Sequence, residues 1–268
     1  EVLRDGGAQM LYLHCNGGKK NVCLDLKKPE GLALVQELAK KADVIVENYT
    51  PGVLASYALD YQSVRRVNPS IVMVSMTGYG QQGWAGNVRH PCTDPVAQAM
   101  GGLNNITGEH SGAPYTIGGG VGDTITAMQG ALAVGYALYH RQRTGIGQHI
   151  DLAMSEAVQS LMPDTVAEYT LSGREPDRVG NQHRWKQPHG IYRAKGNDSW
   201  MAISVGTTDE WLGLCRSLGR PELAEDSRFA TPGARRANTE ALDEIVTEWT
   251  QKQDPWEGSR ILQEARVP

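Results

Sequence analysis

Two short apolar runs, Val44-Ile45-Val46 and Ile71 to Ser75, constrain the fold more than any other feature, because a segment of helical periodicity leads into each. Runs of this length between polar residues read as buried strands, and strands separated by helices build a parallel sheet. Val22 to Leu26 reads as an earlier strand. Pro29-Glu30 then opens a helix, since proline suits the first turn and Glu30 complements the helix dipole. Leu32, Val35, Leu38 and Ala39 form its apolar stripe, and Lys40-Lys41 close it. Helices are expected from about Tyr61 to Val67, Asp94 to Met100, Thr124 to Arg141 and Ser155 to Leu171, with a strand at His149 to Ala153. Residues 1–175 thus read as an open, Rossmann-like α/β domain. Beyond the polar stretch Ser172-Gly173-Arg174-Glu175-Pro176, strands at Ile191 to Arg193 and Trp200 to Val205 precede helices near Thr208 to Leu218 and Thr239 to Thr250. Residues 176–268 therefore read as a smaller α+β domain.

Composition narrows the function. A formal net charge of −4 gives no basic field, so nucleic acid is not an expected partner. The four cysteines, Cys15, Cys23, Cys92 and Cys215, are widely spaced and form no Cys-x-x-Cys, which argues against a disulfide framework and against a metal site. A reducing cytoplasm is the expected compartment. The longest apolar stretch, Thr124 to Tyr139, contains Gln129 and falls short of the roughly 20 residues that span a bilayer. No membrane association is expected. The chain begins at Glu1 without an initiator methionine and stops at Pro268 just after an apolar segment, so it reads as a piece of a longer protein lacking both termini.

Several residues are candidates for chemistry. Gly78-Tyr79-Gly80-Gln81-Gln82-Gly83 spells G-x-G-x-x-G after a strand. A dinucleotide site would need a helix to open at the third glycine. Trp84-Ala85-Gly86-Asn87-Val88-Arg89-His90-Pro91 follows instead, which favours an active-site loop. Asn48, at the end of the strand Val44 to Glu47, is placed either to bond a ligand or to form a turn before Pro51-Gly52. Asp123 follows Gly118-Gly119-Gly120-Val121-Gly122 at the head of the long helix. It reads equally as a helix N-cap or as a nucleophile. The glycines, Gly119 and Gly120 among them, exceed what a cap needs and leave amides free to stabilise an oxyanion. His140, Arg141 and Arg143 read as cations complementing a helix C-terminus. His90, His183 and His189 lie in loops with acid–base potential but no metal spacing.

Taken together, these motifs resemble the class III coenzyme A transferases, the family of formyl-CoA and carnitine CoA-transferase. Asn16-Gly17-Gly18-Lys19-Lys20-Asn21-Val22-Cys23-Leu24-Asp25-Leu26-Lys27 is similar to the family's N-x-x-K-x-S-V-x-L-D-L-K, and Val44 to Gly52 to its V-V-V-E-N-F-x-P-G. Thr77 to Gly80, Ala97-Gln98-Ala99, Gly122-Asp123, His140 to Gln148 before Asp151, Arg178 to Asn181 and Asp226 to Ala230 match in the same order. The resemblance implies that Asp123 attacks an acyl-CoA thioester, passing through an aspartyl anhydride and an aspartyl-CoA thioester. It implies that Asn48, Tyr49, Gly78, Tyr79 and Gly80 line the CoA site and that Asp94 supports the nucleophile. It also implies an interlocked homodimer, an acyl-CoA and a carboxylic acid as small-molecule partners, and no permanently bound cofactor. The sequence departs from the family pattern at Ser56, Thr50 and Pro91, where cations are frequent. Two rival readings are an acyl-CoA racemase or isomerase and a non-catalytic CoA-binding protein. The racemase branch carries a His where this chain has Thr93, and loss of the nucleophile would mark a non-catalytic protein, yet Asp123 is present.

Overall fold

The computed structural model describes residues 10–82 and 90–268, so part of the G-x-G-x-x-G segment, Gly83 to Arg89, lies outside the described residues. In chain order the helices are α1 Met10–Asn16, α2 Pro29–Lys41, α3 Val53–Ser56, α4 Tyr61–Val64, α5 Asp94–Met100, α6 Leu103–Ile106 and α7 Val121–Thr144. They continue with α8 Met154–Gln159, α9 Pro163–Ser172, α10 Thr208–Ser217, α11 Pro232–Ala237, α12 Thr239–Thr250 and α13 Pro255–Glu264, with a 3-10 turn at Pro221–Ala224. The strands are β1 Val44–Glu47, β2 Val72–Thr77, β3 Gln148–Ala153, β4 His189–Arg193 and β5 Trp200–Ser204. The result is a mixed α/β protein with a parallel sheet. Among the described residues no helix is long and apolar enough to cross a membrane.

The chain forms two compact units, one made of residues 1–97 and 122–157, the other of residues 98–121 and 158–268. The second unit thus takes in residues 98–121 and 158–175, which the sequence reading assigned to the larger domain.

In the first unit β1, β2 and β3 pair in that order, both pairs parallel. Central β2 is buried on both faces: Val72, Met73 and Val74 are at most 2% exposed. Parallel strands need crossovers, and α7 supplies the one into β3. Arg141 near its C-terminal end donates to the carbonyls of Asp43 and Ser70, 3.0 and 3.4 Å away, and pairs with the Asp43 carboxylate at 2.9 Å. Asp43 and Ser70 lie just ahead of β1 and β2, so α7 runs antiparallel to the strands. Its N-terminus therefore reaches the carboxyl ends of the sheet, where open α/β folds bind ligands. The sequence reading of Arg141 as a structural cation is what the structure shows.

Three expectations change. Val22 to Leu26 forms no strand: Val22, Leu24 and Leu26 instead line an apolar cavity of about 420 Å³ with Val35, Leu38 and Ile45. A period of two marks which side chains share a face, but a strand also needs a hydrogen-bonded neighbour. Next, Val46 in β1 is 62% exposed rather than buried, since its side chain lines the same open cavity. Finally, the helix expected from Ser155 to Leu171 is broken into α8 and α9 at Pro163, which has no amide to donate.

The second unit is built on the antiparallel pair β4–β5, with His189 opposite Ser204 and Tyr192 opposite Met201. Tyr192, Met201 and Ile203 face a core that includes Trp211, Leu214, Phe229 and Leu242. His189, Ile191, Ala202 and Ser204 occupy the other face. Helix α10 begins with a capping box in which Thr207 and Glu210 satisfy each other's amides.

The join from α7 to β3 generates a prediction. A β-carbon on Gly147 would lie 2.0 Å from the Ile71 carbonyl oxygen, a backbone atom that cannot swing aside. Gly147→Ala is expected to cost about 1–3 kcal/mol, read as a lower urea midpoint with an unchanged slope.

Candidate active site

The site is built where α7 begins. Gly119 and Gly120 have φ of +84° and +71°, two successive left-handed residues that only glycine adopts readily. They turn the chain into a helix starting at Val121. Asp123 is therefore the third helical residue, not the N-cap that one reading of the sequence gave it. Gly120, which precedes the helix, has no side chain to cap it. The acceptor comes from elsewhere: Asp94 Oδ1 accepts a 2.5 Å hydrogen bond from the Gly122 amide. One orphan amide of the first turn is satisfied in this way. Asp123 itself is exposed, with its carboxylate in the first turn, where it complements the helix dipole.

The segment that carries Asp94 also brings Cys92. Its side chain presses on Gly78, where an added β-carbon would lie 2.1 Å from Cys92 Cβ and 2.8 Å from Sγ. Tyr79 acts on Cys92 as a hydrogen-bond donor would, favouring the thiolate. Burial pushes the Cys92 thiol above its ordinary range, the Tyr79 hydrogen bond opposes this, and the charge of Asp123 raises it further. Burial, and then the proximity of Cys92, raises the Tyr79 phenol in turn. So the structure brings Tyr79, Cys92 and Asp123 into one electrostatic group, with Asp94 holding the helix they face. Sequence reading weighed Cys92 only for disulfides and metals; no local pattern announces its contact with Gly78, 14 positions earlier.

Gly78 and Gly80 lie in the loop after β2, and Gly80 has φ +86°. The loop is pinned by Ser155, which donates its amide to the Gly78 carbonyl (3.1 Å), and by Asp151 Oδ1, which accepts from the Gln81 amide (2.8 Å). Glu47, buried at the end of β1, links two loops: Oε2 accepts from the Tyr49 amide at 2.8 Å and Oε1 from the Gln81 side chain at 3.4 Å. Asn48 and Tyr49 are exposed beside it at the carboxyl end of β1. Glu47 was not singled out from the sequence, and only its place before Asn48 hints at it. Ser56, which stands where the family has a cation, donates its hydroxyl to the Val53 carbonyl within α3 (2.7 Å). His90 and Pro91 are exposed.

The Gly78–Cys92 contact is testable by a mutant cycle. Gly78→Ala is expected to destabilise the protein by about 1–3 kcal/mol, and adding Cys92→Gly to restore most of it, with a coupling of about 0.5–3 kcal/mol. Additive losses in urea unfolding would refute the contact. In the same assay, Asp94→Ala is expected to cost about 0.5–2 kcal/mol by removing the acceptor at the start of α7.

Comparison with known proteins agrees with this architecture. Residues 2–268 match the family described as CoA-transferase family III. The chain is 37% identical over 246 residues to succinate–glutarate CoA-transferase of Agrobacterium fabrum, covering 90% of this chain and 60% of that protein. It is 36% identical over 255 residues to succinyl-CoA:mesaconate CoA-transferase of Haloarcula hispanica, covering 94% and 63%. It is also 32% identical over 264 residues to acetyl-CoA:oxalate CoA-transferase of Acetobacter aceti, covering 98% and 67%. Among solved structures, a CAIB/BAIF family protein from Brucella suis superposes with a TM-score of 0.85 at 35% identity, over 94% of this chain and 65% of that one. The chain thus spans about three fifths of the first two relatives' length. With its parallel sheet, its glycine turn and the Gly122-Asp123 pair at the head of α7, this chain belongs to CoA-transferase family III.

Proposed function

We propose that this chain carries the catalytic carboxylate of an enzyme that moves coenzyme A from an acyl-CoA donor to a carboxylic acid acceptor. The observation that carries the reading is Asp123, exposed in the first turn of α7 directly after the left-handed Gly119 and Gly120. The Asp123 carboxylate attacks the thioester carbonyl, the carbon–sulfur bond breaks, and CoA thiolate leaves an aspartyl–acyl anhydride. The thiolate attacks the aspartyl carbonyl, which releases the donor acid and forms an aspartyl-CoA thioester. The acceptor carboxylate attacks that thioester to give a second anhydride, and the thiolate attacks its acyl carbonyl, regenerating Asp123. An anhydride retains the thioester's energy, so each step stays near balance without ATP. Main-chain amides near Gly119 and Gly120 are the expected oxyanion donors.

Asn48, Tyr49, Gly78, Tyr79 and Gly80 are proposed to hold the CoA, with residues 1–175 as the catalytic domain and 176–268 as the smaller one. The substrate class is a short dicarboxylic acid, supported by the succinate, glutarate, mesaconate and oxalate named for the relatives. No permanently bound cofactor is required, since CoA enters as substrate. A homodimer is supported by the apolar stripe Met128, Leu132, Tyr136 and Tyr139 on α7, each at least 58% exposed. Four free cysteines support a cytoplasmic location.

Incubation with succinyl-CoA and hydroxylamine tests the nucleophile. A hydroxamate on the Asp123 peptide is expected by mass spectrometry, and Asp123→Asn is expected to lower transfer at least about 10³-fold. Exchange of the α-proton in deuterated water without an adduct would instead establish an isomerase.

A further inference from the structure

A second set of polar side chains gathers in the other unit, around the open face of β4–β5. Two imidazoles meet there, His183 and His189, with ring centroids 5.1 Å apart. His183 Nδ1 accepts the Trp185 amide proton at 3.2 Å, which places its own proton on Nε2 as a free donor. His189 Nδ1 lies 2.9 Å from the Ser204 hydroxyl, its cross-strand neighbour. Lys186 supplies the ammonium, its stem lying over Gly206. Beside them is a cavity of about 330 Å³ lined by Asn181, Gln182, His189, Ile191 and Ser204.

The loop that carries this cluster is held in place before any ligand arrives. Arg235, 3% exposed, stacks on Trp211 and donates to the Gln187 carbonyl at 3.0 Å. Arg236 donates to the Arg184 carbonyl at 2.7 Å, and the Arg184 guanidinium pairs with Glu168. Two further carboxylates lie close. Glu210 feels Lys186 but is engaged by the Gly206 and Thr207 amides. Asp243 accepts the Tyr192 hydroxyl on the opposite face of β4. Burial, then His183 and Lys186, hold the His189 imidazole below its usual range. The Lys186 ammonium beside the two imidazoles suits an anion, which would also favour the charged form of His189. Among the described residues no third metal-ligating side chain joins the two imidazoles, and the adjacent ammonium disfavours a cation.

We propose that His183, Lys186, His189 and Ser204 form a binding site for a small carboxylate. The site lies wholly within the second unit. Binding favours the protonated His189 imidazole, so affinity is greatest at low pH and is lost as His189 deprotonates.

The test uses the full chain and its histidine Cε1–H resonances. Succinate is expected to move the His183 and His189 signals saturably, while its neutral diamide leaves them in place. Affinity should be weak at about pH 8 and rise as the pH falls below the ordinary histidine value of about 6.5. His189→Gln and Lys186→Met should each weaken succinate about tenfold. Silent histidines would overturn the site, as would phosphate binding as well as succinate, which marks a general anion patch. The hydroxylamine experiment separates the two readings. A hydroxamate at Asp123 with silent histidines removes this site alone; saturable histidine shifts without a hydroxamate keep this site and remove the transferase reading.

Discussion

The hydrogen bond from the Gly122 amide to the Asp94 carboxylate joins positions 28 residues apart, and the geometry around Asp123 follows from it. A helix that begins after a left-handed glycine has no side chain of its own to satisfy its first amides. Here the acceptor comes from the first residue of α5. That choice fixes residues 92–94 alongside the head of α7, so Cys92 meets Gly78 and the loop after β2. At the far end Arg141 ties the same helix to the residues ahead of β1 and β2. Asp123 is thus positioned from both ends of a 24-residue helix.

Much of this was legible in the sequence where the signal is local. The stripe of Leu32, Val35, Leu38 and Ala39 with Pro29 before it yields α2, and the apolar content of Ile71 to Ser75 yields the central strand. The position of Asp123 at the head of a long helix was equally clear. What the sequence could not supply was the partner of each element. Val22, Leu24 and Leu26 alternate as a strand should, yet without a neighbouring edge they form an unpaired apolar wall. Whether Asp123 caps the helix or follows its start depended on Gly119 and Gly120 adopting positive φ together, which glycine allows but does not require.

The contacts hardest to foresee are those between loops. Glu47 links the loops after β1 and β2 only because parallel register sets Glu47 beside Ser75 and so aligns the two strand ends. The His183–His189 pair depends in the same way on Arg235 reaching from α11 to the Gln187 carbonyl. Neither pairing leaves a periodic trace, because each side chain is chosen for one distant atom rather than for a repeating face. This is why motifs pointed to a candidate site while the residues packed around it went unmarked.

Cys92 also raises a question about which nucleophile reacts. A thiolate attacks a thioester faster than a carboxylate does, and transfer to sulfur would give a thioester where the proposed path requires an anhydride. What decides between them is the protonation of the thiol. Only the deprotonated thiol is reactive. Burial raises Cys92, and the charge of Asp123 raises it again, against a single opposing bond from Tyr79. Burial thus does most of the suppressing, and the exposed carboxylate adds to it by its own charge. Under the proposed mechanism that addition relaxes when Asp123 is acylated and its charge disappears. Burial of Cys92 is then the remaining restraint, and the Tyr79 contact works against it by favouring the thiolate.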